Sequence, residues 1–307
     1  MTIRDELVRV SSDRLRRDLF HISRDPLPFR AVNQRRPGQT RHTLEETDDF
    51  LRGELAAAGY AVEATTHRVQ AFRCDRSKPL HHWYSAPDPA DAFYEIANLE
   101  VTREGTKLPD QIIQLVSHKD SMSWIDSPGA HDNGVGTVAN LELARAVADL
   151  PLRRSVRILF CNEEHTPWTS RFAAEAAARR GDRIVAVLNQ DSLDGKSDDE
   201  MAAGKLTHVV CWSTEEGREL AELVAGCARR YELPLETRVA RKDQINDDDG
   251  MYINAGYRRT VMSLGSWPYA DSQYHMPGDT PDRVSIQNLT LSTMLILASV
   301  LELDAAP

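Results

Sequence analysis

A chain of 307 residues, 41% of them hydrophobic, can bury one large α/β core, and its length alone would also permit two smaller domains. Its 37 Lys plus Arg against 47 Asp plus Glu give a formal charge of −10, which argues against a phosphate-backbone partner such as nucleic acid. Four widely spaced cysteines, Cys74, Cys161, Cys211 and Cys227, contain no CxxC pair and read as reduced, mostly buried thiols rather than a disulfide framework or a zinc knuckle.

In chain order, MTIRDELVRVSSDRLRRDLF reads as an amphipathic helix and lacks the apolar stretch of a secretory signal. The following DPLPFRAVNQRRPGQT reads as a loop, so residues 1–40 are expected to pack as helix and loop on the core of a single catalytic domain spanning 1–307. Thr43-Leu44-Glu45-Glu46 looks like a capping box opening a helix that glycine ends near Gly59. A second loop-like stretch, CDRSKPLHHWYSAPDPADAF, carries prolines and polar residues that argue against regular structure.

From residue 111 onward, short buried strands (QIIQLVSH, SVRILF, RIVAVLNQ, THVVCW) alternate with helical stretches. Those stretches, GVGTVANLELARAVADL, RFAAEAAARR and EEGRELAELVAGCARRYEL, repeat apolar residues at i, i+3 and i+4. Such alternation predicts βαβ units in an α/β three-layer sandwich, with a central mixed, mostly parallel sheet covered by helices on both faces. The last helix, LTLSTMLILASVL, is too short to span a bilayer and reads as core. A soluble cytoplasmic protein without a membrane partner is therefore expected.

In parallel sheets ligands bind beyond the carboxyl ends of the strands. His118, the pair Glu163-Glu164, and Asp191 each stand just after a strand, while Asp132 lies in the turn SPGAHDNGVG and His275 in the loop YHMPGDTPD. Taken singly, each has an ordinary explanation: a hydrogen-bonded strand-end imidazole, a helix N-cap, a solvated loop carboxylate, a surface histidine. Taken together, two imidazoles and three carboxylates form a nitrogen and oxygen ligand set suited to two divalent zinc-like ions, provided one carboxylate bridges them. Asp132 offers the two oxygens a bridge needs, and its neighbour His131 reads as a supporting or exposed residue. Asp120 shares the strand face of His118 through the two-residue period and could accept the proton of the unligated ring nitrogen. A doubled carboxylate after a buried strand repels itself unless cations relieve it, which leaves Glu163 free to take a proton from water. Trp168, Trp267, Tyr269 and Tyr274 could line an apolar pocket, although core packing explains Trp267 equally well.

The motifs HKDS, GAHDNGVG, FCNEE, NQDS and YHMPGDTPD, spread over roughly residues 40 to 303, resemble the M28 family of zinc aminopeptidases. The resemblance implies one zinc on His118, Asp132 and Asp191 and a second on Asp132, Glu164 and His275, with cobalt or manganese also suited to these ligands. It further implies Glu163 as general base with Asp120 behind His118, a cis peptide from Asp132 to Asn133, and a small peptide or amide as substrate. Two segments depart from the family pattern. His165-Thr166-Pro167-Trp168-Thr169-Ser170 replaces a stretch rich in Gly and Leu, and Asp247-Asp248-Asp249 stands where the family has Ser-Asp-His, with Asp248 as the matching position. The triplet could attract a substrate ammonium or form a solvated acidic loop; Trp168, Asp248 and Tyr274 are the expected substrate contacts.

Three other readings compete. M20 deacylases share the ligand order but carry an inserted dimerisation domain, for which the segment from Glu164 to His275 has little room. Glutaminyl cyclases share the fold and use one zinc. A binding module that keeps the fold without chemistry would have lost ligands, and here all five are present. The sequence leaves the oligomeric state open.

Overall fold

Runs of β-branched and apolar residues pair into one large sheet in the computed structural model, which describes residues 2–306. The strands are β1 (Glu63–Ala71), β2 (Arg73–Cys74), β3 (Tyr84–Ser85), β4 (Phe93–Arg103), β5 (Leu108–His118), β6 (Arg154–Cys161), β7 (His165–Thr166), β8 (Arg183–Gln190), β9 (Thr207–Trp212), β10 (Glu236–Arg241) and β11 (Thr260–Leu264). The helices are α1 (Ile3–Glu6), α2 (Ser12–Ser23), α3 (Thr43–Ala57), α4 (Val135–Val147), α5 (Thr169–Arg180), α6 (Asp198–Ala202), α7 (Glu215–Arg230), α8 (Asp247–Asn254) and α9 (Ile286–Ala305).

The nine-stranded sheet runs β10-β9-β11-β8-β5-β6-β4-β1-β7. Pairs β11–β8, β8–β5 and β5–β6 are parallel and occupy its centre, and β10–β9 is parallel at one edge. The pairs β9–β11, β6–β4, β4–β1 and β1–β7 are antiparallel, so the mixed character expected for the sheet lies mainly on its flanks.

The two-residue period of the central strands divides the core into layers. Ile113, Leu115, Val156, Ile158, Ala186 and Leu188 point to one face and join the apolar residues of α2, α3, α4, α7 and α9 in a cluster that extends from Leu7 to Leu303. Their neighbours Val116, Leu159 and Val187 point to the other face, against Ala174 of α5 and Tyr252 of α8. Helices thus cover both faces. Strand β1 explains why its part of the chain escapes a reading by periodicity: residues Glu63–Thr66 are all exposed, so no apolar face marks them.

Local details differ from expectation in four places. The cap of α3 is His42, whose Nδ1 accepts from Glu45 N at 3.1 Å, while Thr43 turns its hydroxyl to Ala31 O at 3.2 Å. The amphipathic N-terminal stretch breaks near Val10 into α1, a 3-10 turn at Leu7–Arg9, and α2. In the segment 74–93 the loop is pinned by the short β2–β3 ladder, Arg73 opposite Ser85. Helix α9 extends to 20 residues, which would cross a bilayer by length, but 67% of its most apolar window is buried inside the protein. Its burial, and not its length, marks it as a core helix.

His208 on β9 is fully buried, with Nδ1 3.0 Å from Ser292 Oγ on α9 and no partner for Nε2. Burial pushes its pKa down to about 4, below the unfolded value. As pH falls, the unfolded chain takes up this proton first, so the stability it contributes is intact above about 6.5 and drains away down to about 4. On this basis the wild type should lose about 3 kcal/mol more than His208→Gln between pH 7 and pH 4. Urea midpoints of both proteins across that range would check it, and equal losses would show that His208 does not titrate.

Candidate metal centre

The three central strands β8, β5 and β6 run parallel and end level with one another. His118 closes β5 in register with Cys161 of β6, and Val116 of β5 stands beside Asn189 of β8. The residues that follow, Glu163, Glu164 and Asp191, therefore leave the sheet at one edge. Asp132 arrives from the turn before α4, and His275 from the loop between β11 and α9. A Cβ on Gly136 would lie 2.3 Å from Gln190 O and from Asn133 Oδ1, so glycine is needed for α4 to start this close to the end of β8. The Asp132–Asn133 peptide is cis, as the family resemblance implied.

The five ligand-type side chains meet. Asp132 presents Oδ1 at 3.1 Å from His118 Nε2 and Oδ2 at 3.1 Å from His275 Nε2. Asp191 Oδ1 lies 3.6 Å from His118 Nε2, and Glu164 Oε1 lies 3.6 Å from His275 Nε2. Metal bonds of about 2.0 to 2.1 Å at near-tetrahedral angles put two ligand atoms about 3.4 Å apart. The separations fit two ions that share Asp132, each with one imidazole and one further carboxylate.

The other ring nitrogens are held from behind. Asp120 Oδ1 is 3.3 Å from His118 Nδ1, and the same carboxylate accepts from Glu163 N at 2.9 Å, Glu164 N at 2.8 Å and His165 Nδ1 at 2.6 Å. One buried carboxylate thus orients an imidazole and the backbone of both glutamates. His275 Nδ1 donates to the carbonyl of His81 at 2.7 Å, leaving Nε2 to face the site. Sequence reasoning missed both His165 and His81. Nothing local marks the first, and the second acts through its backbone.

Electrostatics point to cations. Burial first, then the neighbouring carboxylates of Asp248 and Asp247, push the Glu163 carboxyl well above its ordinary range. Burial and then Asp132 raise Glu164 to about 7. So many carboxylates in a dry site are tolerable when positive charge sits among them. Glu163 Oε2 is buried without a hydrogen-bond partner, as suits a side chain outside both ligand sets.

A cavity of about 90 Å³ opens on these residues, walled by Phe72, Tyr84, Trp124, Trp168, Tyr269 and Tyr274. Trp168 and Tyr274 stand where a substrate would lie, but Asp248 does not. It is fully buried, with Oδ2 accepting from Cys161 Sγ at 3.1 Å, and Asp247 faces the cavity in its place. The left-handed backbone at Asp247, φ 61°, turns that side chain outward, and Lys242 Nζ braces it at 2.9 Å. Trp267 stands behind the wall, edge-on to Tyr269 at 5.7 Å. His131 is buried, not exposed.

The model of peptidase family M28 matches residues 98–300. The chain belongs to this family. Among curated proteins, this M28 member is 26% identical over 213 residues to a probable aminopeptidase of Saccharomyces cerevisiae, covering 66% of its own length and 55% of that protein. It is 30% identical over 190 residues to a probable zinc metalloprotease of Pyricularia oryzae, covering 54% and 35%. The chain thus spans about half the length of the yeast relative and about a third of the other. Its fold superposes on an aminopeptidase from Aneurinibacillus sp. strain AM-1 with a TM-score of 0.74 at 12% identity, covering 98% and 96% of the two chains. A glutaminyl cyclase of Bacteroides thetaiotaomicron gives a TM-score of 0.70 at 16% identity, covering 95% and 97%.

Asp120→Asn keeps the size of the side chain but sets an amide against four donors. Zinc affinity should fall by about 10- to 100-fold, read by competition with a chelating dye. Unchanged affinity would mean that Asp120 only fills space.

Proposed function

We propose that this chain is a zinc-dependent hydrolase holding two ions, and that it releases residues from the amino termini of peptides or cleaves a related small amide. The observation that carries this reading is the position of Asp132, with one oxygen 3.1 Å from each of two imidazoles. His118, Asp132 and Asp191 would hold one ion, and Asp132, Glu164 and His275 the other. Bound there, the ions supply Lewis-acid polarisation of the scissile carbonyl and a water that ionises near neutral pH.

The protein's own groups do the rest. Glu163, with Oε2 unpartnered beside the ligands, takes the proton of the attacking water and returns it to the leaving amine. Asp120 keeps His118 and the Glu163 backbone in place. Trp124, Trp168 and Tyr274 exclude water, and a space of about 90 Å³ suits one side chain of a substrate better than a length of folded chain. Asp247 at the wall offers a carboxylate to a substrate ammonium. Four free thiols, Cys74, Cys161, Cys211 and Cys227, support a reducing, intracellular setting.

A panel of aminoacyl, N-acetyl and dipeptide amides, run with bound metal counted in the same preparation, tests this reading. Cleavage of free-amine substrates with about two zinc ions per chain is expected. Turnover restricted to N-acyl compounds would favour a deacylase, and ammonia release from N-terminal glutamine with one zinc would favour cyclase chemistry. Glu163→Gln should keep both ions yet lose about 10²- to 10⁴-fold in kcat; wild-type turnover in that variant would remove Glu163 from the mechanism. Asp247→Asn should raise KM for free-amine substrates by about tenfold, the effect of one charge worth about 1.4 kcal/mol. N-acetyl analogues, which lack the ammonium, should show no such change in binding.

A further inference from the structure

The turn that brings Asp132 to the centre also carries His131, and this neighbour enters a second buried cluster. His131 Nε2 lies 3.4 Å from Asp194 Oδ2, and Nδ1 faces the rest of the cluster. Nδ1 is 2.8 Å from Asp271 Oδ2 and 3.3 Å from Asp279 Oδ1. Even so, His131 Nδ1 and Asp271 Oδ2 are both buried without a hydrogen-bond partner. A ring nitrogen and a carboxylate oxygen held this close without a hydrogen bond are placed as two ligands of one cation are.

The other oxygens of the cluster are already engaged. Asp194 Oδ1 accepts from Lys196 Nζ at 2.6 Å, and its Oδ2 from Ser285 N at 2.7 Å. Asp271 Oδ1 accepts from Gln273 N and Arg283 Nη2, both at 2.9 Å. Asp279 accepts from His131 N on Oδ1 at 2.8 Å and from Asp132 N on Oδ2 at 3.1 Å. Two atoms remain without a hydrogen-bond partner, His131 Nδ1 and Asp271 Oδ2, and Asp279 Oδ1 keeps a second lone pair beside its contact with His131 N; the three residues offer ligand atoms within 4.8 Å of one another.

We propose that these three atoms hold a third divalent ion, a structural one, separate from the two at the His118 and His275 site. Bonds of about 2.0 to 2.1 Å at angles between 90° and tetrahedral separate ligand atoms by about 2.9 to 3.4 Å, which brackets the two distances from Nδ1 to within 0.1 Å. One imidazole with two carboxylates selects zinc or manganese over calcium, which favours oxygen alone. The arrangement also repeats the design of the neighbouring site, where a carboxylate fixes one ring nitrogen so that the other faces the metal. None of His131, Asp271 and Asp279 lines the catalytic cavity. The ion ties the turn bearing Asp132 to both ends of the loop bearing His275, so it sets the distance between a bridging carboxylate and the imidazole that faces it.

Anomalous diffraction decides the matter, with crystals of the full chain grown in zinc and data taken on both sides of the zinc edge. A peak at bonding distance from His131 Nδ1 is expected, in addition to those beside His118 and His275. Its absence overturns the proposal, whether or not the other two appear, and assigns a proton to Nδ1 instead; the peaks beside His118 and His275 judge the dinuclear reading separately. In solution, Asp271→Asn should lower bound zinc by one equivalent per chain, and an unchanged count would also overturn the proposal. If that variant fails to fold, the wild-type map still gives the answer.

Discussion

The constraint on which the rest of this structure depends is the burial of a carboxylate, Asp132, between two imidazoles and within reach of two further carboxylates. In a low-dielectric site such a group repels its neighbours strongly, and the protein could have answered with its own lysines and arginines. It does have buried cations, but it keeps them one layer back. Arg30 reaches the carbonyls of Lys119 and Gly129, Lys119 faces Asp48, and Lys242 braces Asp247 and Asp249. None of them lines the cavity. The centre is left electron-rich, and mobile cations can enter it.

The backbone supports that arrangement at several points. Arg30 is completely buried, and although burial lowers its pKa to about 10 it stays charged and clamps the turn before Asp132 through Pro128 O and Gly129 O. Ser192, Asp247 and His275 adopt left-handed backbone conformations that side chains other than glycine seldom take, and all three flank the site. Such geometry persists where surrounding contacts over-determine it, and here it marks three residues that flank the site.

How much of this was legible in the residues varies by element. The strands that end in His118, Glu163-Glu164 and Asp191 were legible because they are buried on both faces, and a polar residue just past such a run stands out. Strand β1 was not, because the exposed residues Glu63–Thr66 show no apolar period. The five ligand-type residues could be named in advance, yet Asp247 could not be told from Asp248: which of three consecutive carboxylates turns outward depends on one backbone angle that no pattern reports. Trp168, Tyr269 and Tyr274 of the cavity wall could also be named in advance, and the other half of the wall was hidden for a different reason. Phe72 and Trp124 come from segments without regular structure and Tyr84 from the two-residue strand β3, and their convergence is a property of the fold alone.

The loop 74–93 shows how closely stability and function are joined in this design. It carries His81, whose carbonyl orients His275, and Tyr84, whose ring stands edge-on to the same imidazole at 5.9 Å. His275 itself is carried between β11 and α9, so the contact that aims it also docks two irregular segments on each other. Ions that bind the folded site and not the unfolded chain would stabilise that docking by mass action. Loss of the ions would then leave mutually repelling carboxylates at the sheet edge and loosen first the loops that carry His81 and His275, while the helices packed around α9 would hold the core together.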